Sequence, residues 1–345
     1  METMSHHRIR GTDRENIMDL RNARILVIGG AGLIGSHVVE ALLREDVKEV
    51  LIFDNFCRGT HENIQIALRN PRCKLFDAGG DILQTDILHA AMKGMDAVVH
   101  LAALWLLQCY EYPRAAFDVN IRGTFNVLEG CVANNIRRLV YSSSASVYGD
   151  ALEEPMTEDH PYNNWTFYGA TKIAGEQMMK AFHRRYGVNG VGLRYMNVYG
   201  PRQDYRGTYV AVIMKILDNI EHGISPVVFG DGSQAYDFID VEDVARANVC
   251  ALKSTVPIGF YNIGRGIKTS IRELAELLLK LTGSTLPIRY EPAGQTFVSN
   301  RVGDTAAAER DLGFFWKIGL EEGLLRLIEW RKMHIEAVKQ KRGQL

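Results

Sequence analysis

The sequence predicts an α/β fold: a doubly wound parallel sheet with helices on both faces, followed by a smaller, mostly helical C-terminal domain. Three observations carry that expectation. Short β-branched runs alternate with longer helical patterns over the first half of the chain. The runs are apolar throughout, as strands buried on both faces must be. A cluster of glycines separates the first run from the first helical pattern.

In order, Ile25-Leu26-Val27-Ile28 is the first strand and stops at glycine. Ser36 to Arg44 follows as a helix whose apolar side is Val38, Val39, Ala41, Leu42 and Leu43. Further strands are expected at Glu49–Asp54, Cys73–Phe76, Asp96–Leu101 and Leu139–Ser142, with a helix from about Ala115 to Ala133 between the last two. A helix from about Ala170 to Tyr186 leads into a sixth strand, Val191–Tyr195. Repeated strand-helix-strand units imply right-handed crossovers and parallel pairing. Beyond Tyr195 the rhythm changes: Gly and Pro become frequent, and helices such as Ile271–Leu281 and Leu320–Val338 dominate. This divides the chain into a polar N-terminal extension (1–22), a sheet domain (23–195) and a second domain (196–345). That last boundary is approximate and leaves room for elements to return to the main sheet.

Composition bounds the function. Apolar residues make up 46% and charged residues 23% of the 345, which excludes a disordered, collagen-like or coiled-coil chain. Forty basic residues against forty-one acidic ones give a formal charge of −1, which argues against nucleic-acid binding. No run approaches the roughly 18 apolar residues of a membrane span. Cys57, Cys73, Cys109, Cys131 and Cys250 are odd in number and lack C-x-x-C spacing, so neither a disulfide framework nor a bound metal is expected. His6 and His7 sit in the polar extension, which has no apolar signal core; a cytoplasmic protein is expected.

Gly29-Gly30-Ala31-Gly32-Leu33-Ile34-Gly35 follows the first strand and opens the first helix. Glycines there allow a tight turn and let a pyrophosphate approach the free N–H groups of the helix start. Asp54 ends the second strand about twenty residues past Gly35, where an acid accepts ribose hydroxyls and favours NAD over NADP. Arg58 is the neighbouring feature that would suit NADP. Tyr168 and Lys172 stand four apart at a helix start, on one face. An ammonium held near a phenol lowers its pKa, as proton transfer at a secondary alcohol requires. Ser144 ends the fifth strand, at the sheet edge where ligands bind, and can hydrogen-bond the reacting oxygen.

Taken together, the glycine turn, Asp54-Asn55, Gly80-Asp81-Ile82, His100-Leu101-Ala102-Ala103 and Asn120-Ile121-Arg122-Gly123-Thr124 resemble the extended short-chain dehydrogenase/reductases. So do Ser144-Ala145-Ser146-Val147-Tyr148-Gly149, Tyr168 to Lys172 and Arg194-Tyr195-Met196-Asn197-Val198-Tyr199-Gly200-Pro201-Arg202. Within them the chain is nearest the NAD-dependent nucleotide-sugar epimerase/dehydratase group, and most like UDP-hexose 4-epimerases. The resemblance implies a Rossmann-like NAD-binding domain with Tyr168 as base, Lys172 as its electrostatic partner and Ser144 as donor to the substrate oxygen. It also implies NAD contacts at Gly29, Gly32, Leu33, Ile34, Gly35, Asp54, Asn55, Asp81, Ile82, Leu101, Ala102, Ala103, Asn120, Tyr168 and Lys172. For Asn120 the alternative is a backbone-fixing role, and for His100 a place in the core.

A nucleotide-diphosphate sugar is the implied substrate, with Ser144, Ser146, Asn197, Arg202, Tyr236 and Arg301 around it. Dehydratases of the group carry Asp-Glu after the hydroxyl residue, and other members a Cys near it; Ala145-Ser146 offers neither. What remains is chemistry at one carbon: 4-epimerisation through a 4-keto sugar. The alternatives are a C4 dehydrogenase or 4-keto-sugar reductase and, on different ground, a non-catalytic NAD-binding regulator. Tyr236 stands where the group usually has Arg before Asp-Phe, and Tyr290-Glu291-Pro292-Ala293-Gly294 lacks a second expected Arg, leaving Arg202 and Arg301 as replacements. Leu104-Trp105-Leu106-Leu107 is unusually apolar for a loop beside a sugar; packing under the second domain is the other reading. Family members pair the helices corresponding to 115–133 and 170–186 in a four-helix bundle, which implies a homodimer.

Overall fold

Ile25 and Val27 face one side of the first strand, Leu26 and Ile28 the other, and all four are completely buried. That double burial sets the architecture, because both faces of such a sheet need a helical layer. The computed structural model describes residues 18–204, 211–292 and 299–342; residues 1–17, with His6 and His7, lie outside them. The strands are β1 (Arg24–Ile28), β2 (Glu49–Phe53), β3 (Cys73–Leu75), β4 (Ala97–His100), β5 (Arg138–Ser144), β6 (Gly190–Tyr195), β7 (Asn197–Tyr199), β8 (Val227–Phe229), β9 (Ala235–Asp240), β10 (Ile258–Ile263), β11 (Lys268–Ser270), β12 (Arg289–Glu291) and β13 (Asn300–Arg301). The main sheet has seven strands, all parallel, in the order β10-β6-β5-β4-β1-β2-β3. This is the predicted doubly wound sheet with one strand added at its edge from far along the chain.

The helices are α1 (Leu33–Leu43), α2 (His61–Ile64), α3 (Thr85–Met92), α4 (Leu106–Glu111), α5 (Pro113–Ala116), α6 (Thr124–Ala133), α7 (Phe167–Tyr186), α8 (Val212–Glu221), α9 (Val241–Lys253), α10 (Ile271–Thr282), α11 (Ala306–Leu312) and α12 (Leu320–Arg342). One layer of the core joins Val38, Val39 and Leu42 of α1 and Val244 and Leu252 of α9 to Ile25, Val27 and Val191 of the sheet. The opposite layer joins Leu26, Ile28 and Tyr141 to Leu88, Val127, Leu128 and Met179. A third cluster, with Tyr199, Ile213, Leu217, Phe238, Leu274 and Leu327, holds α8, α10 and α12 around a small sheet in which β9 pairs with β7, β11 and β13.

Several boundaries differ from the sequence reading for local reasons. Met18 and Leu20 are buried with the first core layer, so the last residues assigned to the extension are packed. Helix α7 starts at Phe167 because Thr166 caps it, its hydroxyl accepting from Gly169 N at 3.0 Å. The helix expected over 115–133 contains a π-helical turn, Phe117–Gly123, between α5 and α6. Such turns re-aim side chains at functional sites, and this one carries Asn120. β10, from the region beyond 195, lies against β6, and α9 packs on α1.

A buried charge pair fixes α7 on this sheet. The Arg194 guanidinium of β6 donates to both oxygens of Glu176, at 2.9 and 2.8 Å, and both side chains are almost wholly removed from solvent. Ser143 of β5 donates to Glu176 at 2.6 Å, and Arg194 also donates to the Tyr148 hydroxyl (2.6 Å), which donates to Asn262 of β10 (2.7 Å). Removing one partner of such a pair strands a buried charge. Arg194→Ala is therefore expected to cost about 3–5 kcal/mol of stability in urea unfolding; a loss below about 1 kcal/mol would show that the pair does not hold the helix.

Candidate active site

At the C-terminal edge of the main sheet the strand-end loops enclose a cavity of about 1280 Å³. Ordinary small-molecule sites occupy roughly 300–1,000 Å³, so this one has room for two ligands side by side. Its walls include Gly29, Gly32, Leu33, Ile34 and Gly35 at one end, Leu101, Ala103, Ser144, Tyr168, Lys172 and Asn197 in the middle, and Tyr236 towards the second domain.

The glycine turn fits a pyrophosphate. A Cβ on Gly35 would lie 2.0 Å from the Gly29 carbonyl oxygen, and one on Gly29 (φ +82°) would lie 2.9 Å from Ala102 N. Backbone thus packs on backbone, with no room for side chains. At Gly32, the N-cap of α1, a Cβ would approach only Gly29 O, at 3.4 Å, and among the described residues no side chain caps the helix. The first N–H groups of α1 are left for an anion, with the helix dipole behind them. Asp54 braces this turn: Oδ2 accepts from Ala31 N and Oδ1 from Phe56 N, both at 2.8 Å. Burial raises its pKa. A carboxylate has about four acceptor positions, so two remain for ribose hydroxyls. Asn55 accepts from Cys57 N and Asp81 from Leu83 N, each shaping its own loop.

Ser144, Tyr168 and Lys172 come together in the middle of the cavity. The Ser144 hydroxyl accepts from Ser146 N at 3.1 Å. The Lys172 ammonium donates to the Ser142 carbonyl at 2.6 Å and lies 5.6 Å from the centre of the Tyr168 ring. Burial lowers the Lys172 pKa to about 8, with the Glu176 carboxylate pulling the other way. The phenol departs from expectation: burial pushes Tyr168 up to about 12, only partly offset by the Ser144 hydroxyl and the Arg301 charge.

Residues 25–264 match the NAD dependent epimerase/dehydratase family. The chain belongs to that family. A protein of Methanocaldococcus jannaschii is 38% identical to it over 89% of this chain and 98% of its own length. Among solved structures, the UDP-N-acetylglucosamine 4-epimerase of Methanobrevibacter ruminantium, in complex with UDP-N-acetylmuramic acid, is 32% identical with a TM-score of 0.85, covering 91% of this chain and 99% of that one. The UDP-glucose 4-epimerase of Thermotoga maritima with UDP-glucose is 30% identical with a TM-score of 0.84, covering 90% and 99%.

For a member of the NAD-dependent epimerase/dehydratase family, four residues have unexpected partners. Arg202 lines the cavity and is paired through one guanidinium nitrogen with Glu40 of α1. Asn120 does not reach for cofactor: its amide accepts from Leu104 N (2.7 Å) and donates to Leu104 O (2.9 Å) and the Thr171 hydroxyl (3.1 Å), pinning the loop after β4 to α7. The Ile82 side chain belongs to the core with Leu26 and Val127. Arg301 is half-buried, its guanidinium 3.4 Å from the Ser146 hydroxyl and 3.5 Å from Gly149 O. Arg58, the feature that suited NADP, lines the cavity and is ion-paired with Asp204, its Nη2 at 2.8 Å from Oδ2. Glu176 escaped the sequence reading although it stands four residues past Lys172, on the same helix face.

Tyr168→Phe keeps the ring and removes the proton carrier. Turnover is expected to fall by about 10²–10⁴, while NADH binding, read by fluorescence titration, persists. Retained turnover would remove Tyr168 from the chemistry.

Proposed function

We infer that this chain is an NAD-dependent nucleotide-sugar 4-epimerase. The observation that carries the reading is the proton-transfer cluster Ser144, Tyr168 and Lys172 in one cavity, with Ala145 and Ser146 in the turn just after β5, neither of which can move a proton at a second carbon. NAD, held by the glycine turn and Asp54, would supply the hydride acceptor and donor for chemistry at C4. The Tyr168 phenolic oxygen accepts the C4 hydroxyl proton and gives it back, the Ser144 hydroxyl donates to the same oxygen, and the buried Lys172 ammonium supplies positive charge beneath both. Tyr236 lines the same cavity, in which a 4-keto sugar would have to turn to offer its other face. Likeness to 4-epimerases of UDP-glucose and UDP-N-acetylglucosamine supports UDP as the nucleotide. Tyr236, where Arg is usual, leaves one fewer guanidinium for a diphosphate, which weakens bidentate recognition.

The site residues assigned above to NAD and sugar follow from the same reading, as does a C-terminal region devoted to the substrate. We also propose a homodimer through α6 and α7: Phe117, Phe125 and Phe167 are each at least 40% exposed there, and Ala170 and Ala181 are small and exposed, so helices can approach closely. No described helix is long and apolar enough to cross a membrane; with all five cysteines free thiols, a cytoplasmic setting fits.

Purified protein given UDP-, GDP- and dTDP-hexoses should interconvert the C4 epimers of at least one, followed by NMR, without net NADH. Net NADH would move the reading to a C4 dehydrogenase. Light scattering should give twice the chain mass, and Phe125→Glu should shift it to the monomer; a monomeric parent chain would remove the dimer.

A further inference from the structure

In the main sheet β1 stands between β2 and β4. Any contact between the loops that follow β2 and β4 must therefore pass over the end of β1, where the glycine turn lies. Arg58 and Trp105 make such a contact: the guanidinium carbon is 4.8 Å from the centre of the indole. The same guanidinium is ion-paired to Asp204, with Nη2 at 2.8 Å and Nε at 3.2 Å from Oδ2. Asp204 comes from the loop after β7. That loop is fastened to α1 by His37 Nε2 against Pro201 O (3.1 Å) and by the Arg202–Glu40 pair.

The root of Arg58 is equally fixed. A Cβ on the adjoining Gly59 would lie 2.8 Å from the Ala31 carbonyl carbon, and Thr60 N (3.2 Å) and Asn63 Nδ2 (2.9 Å) both donate to Ala31 O. Arg58 therefore springs from the rim of the glycine turn, and its tip reaches two other loops. Arg58, Trp105 and Asp204 line the same cavity as Gly29, Gly32 and Ile34.

We propose that Arg58, Trp105 and Asp204 form a strap across the dinucleotide groove that keeps the cofactor in place between the two hydride transfers. The inference rests on NAD occupying the glycine turn. A 4-epimerase reduces its cofactor in the first half-reaction and needs the same molecule for the second; escape in between strands a 4-keto sugar. The strap suits that duty because its contacts can open. Arg58 and Asp204 side chains are 32% and 23% exposed, so their ion pair is weak enough to break. The indole face adds a second modest attraction to the same guanidinium. These residues act as positioning residues: they bar the exit without touching the reacting carbon.

A strap and a direct ligand contact differ in kinetics. Removing a contact speeds release alone, whereas removing a strap speeds both entry and exit. The test is stopped-flow NADH fluorescence, binding followed by a chase with excess NAD, on the parent chain, Arg58→Ala and Asp204→Asn. Both rate constants should rise in each variant, by about tenfold in Arg58→Ala, which loses the ion pair and the cation–π contact, and by about threefold in Asp204→Asn, which loses the ion pair, with Kd changing by less than either rate. Asp204→Asn is nearly isosteric, and thermal melting confirms that it folds. Unchanged rates in both variants overturn the proposal, as does faster release matched by an equal weakening of Kd. A parent chain that binds no NADH would instead sink the assignment of NAD to this groove.

Discussion

The reacting cluster depends on a charge pair that water never reaches. Tyr168, Lys172 and Glu176 stand at successive four-residue intervals along α7, so whatever sets Glu176 sets the other two. Glu176 is gripped from β6 by Arg194 and from β5 by Ser143. β5 is the strand that ends in Ser144, so one clamp fixes both sides of the proton-transfer cluster. Burying two charges costs solvation that their attraction does not always recover. The return here is register: a helix held on apolar contacts alone could slide, while a bidentate guanidinium allows one setting.

The same burial explains the state of the phenol. Partial burial of Tyr168 makes an isolated phenolate unfavourable. Ser144 and Arg301 recover part of that cost. Lys172, lowered to about 8, is poised between charged and neutral near physiological pH. The protein therefore supplies orientation to the three groups.

Features written in contiguous residues were legible in the sequence. The glycine turn is a matter of local backbone, the strands are runs of apolar residues, and Tyr168 and Lys172 share a face by helical arithmetic. What escaped depends on distant segments meeting. Arg202 and Arg301 are both arginines near family motifs, yet one is paired with Glu40 of α1 and the other lies beside Ser146. Neither partner is visible from spacing. Asn120 is turned inward by a π-helical turn, which 3.6-residue periodicity does not reveal. Trp105 sat in a loop that looked too apolar for a sugar, and its neighbour proves to be a guanidinium from another loop.

The strand that completes the main sheet, β10, is made of residues 258–263, more than sixty residues after the β6 edge it covers. During synthesis β6 emerges first, with its backbone donors and acceptors facing outward and nothing yet to pair with them. Such an edge is a template for another chain. The nascent protein thus carries its greatest risk of association in the interval before Ile263 leaves the ribosome, and a chaperone acting on it would have its work in that window.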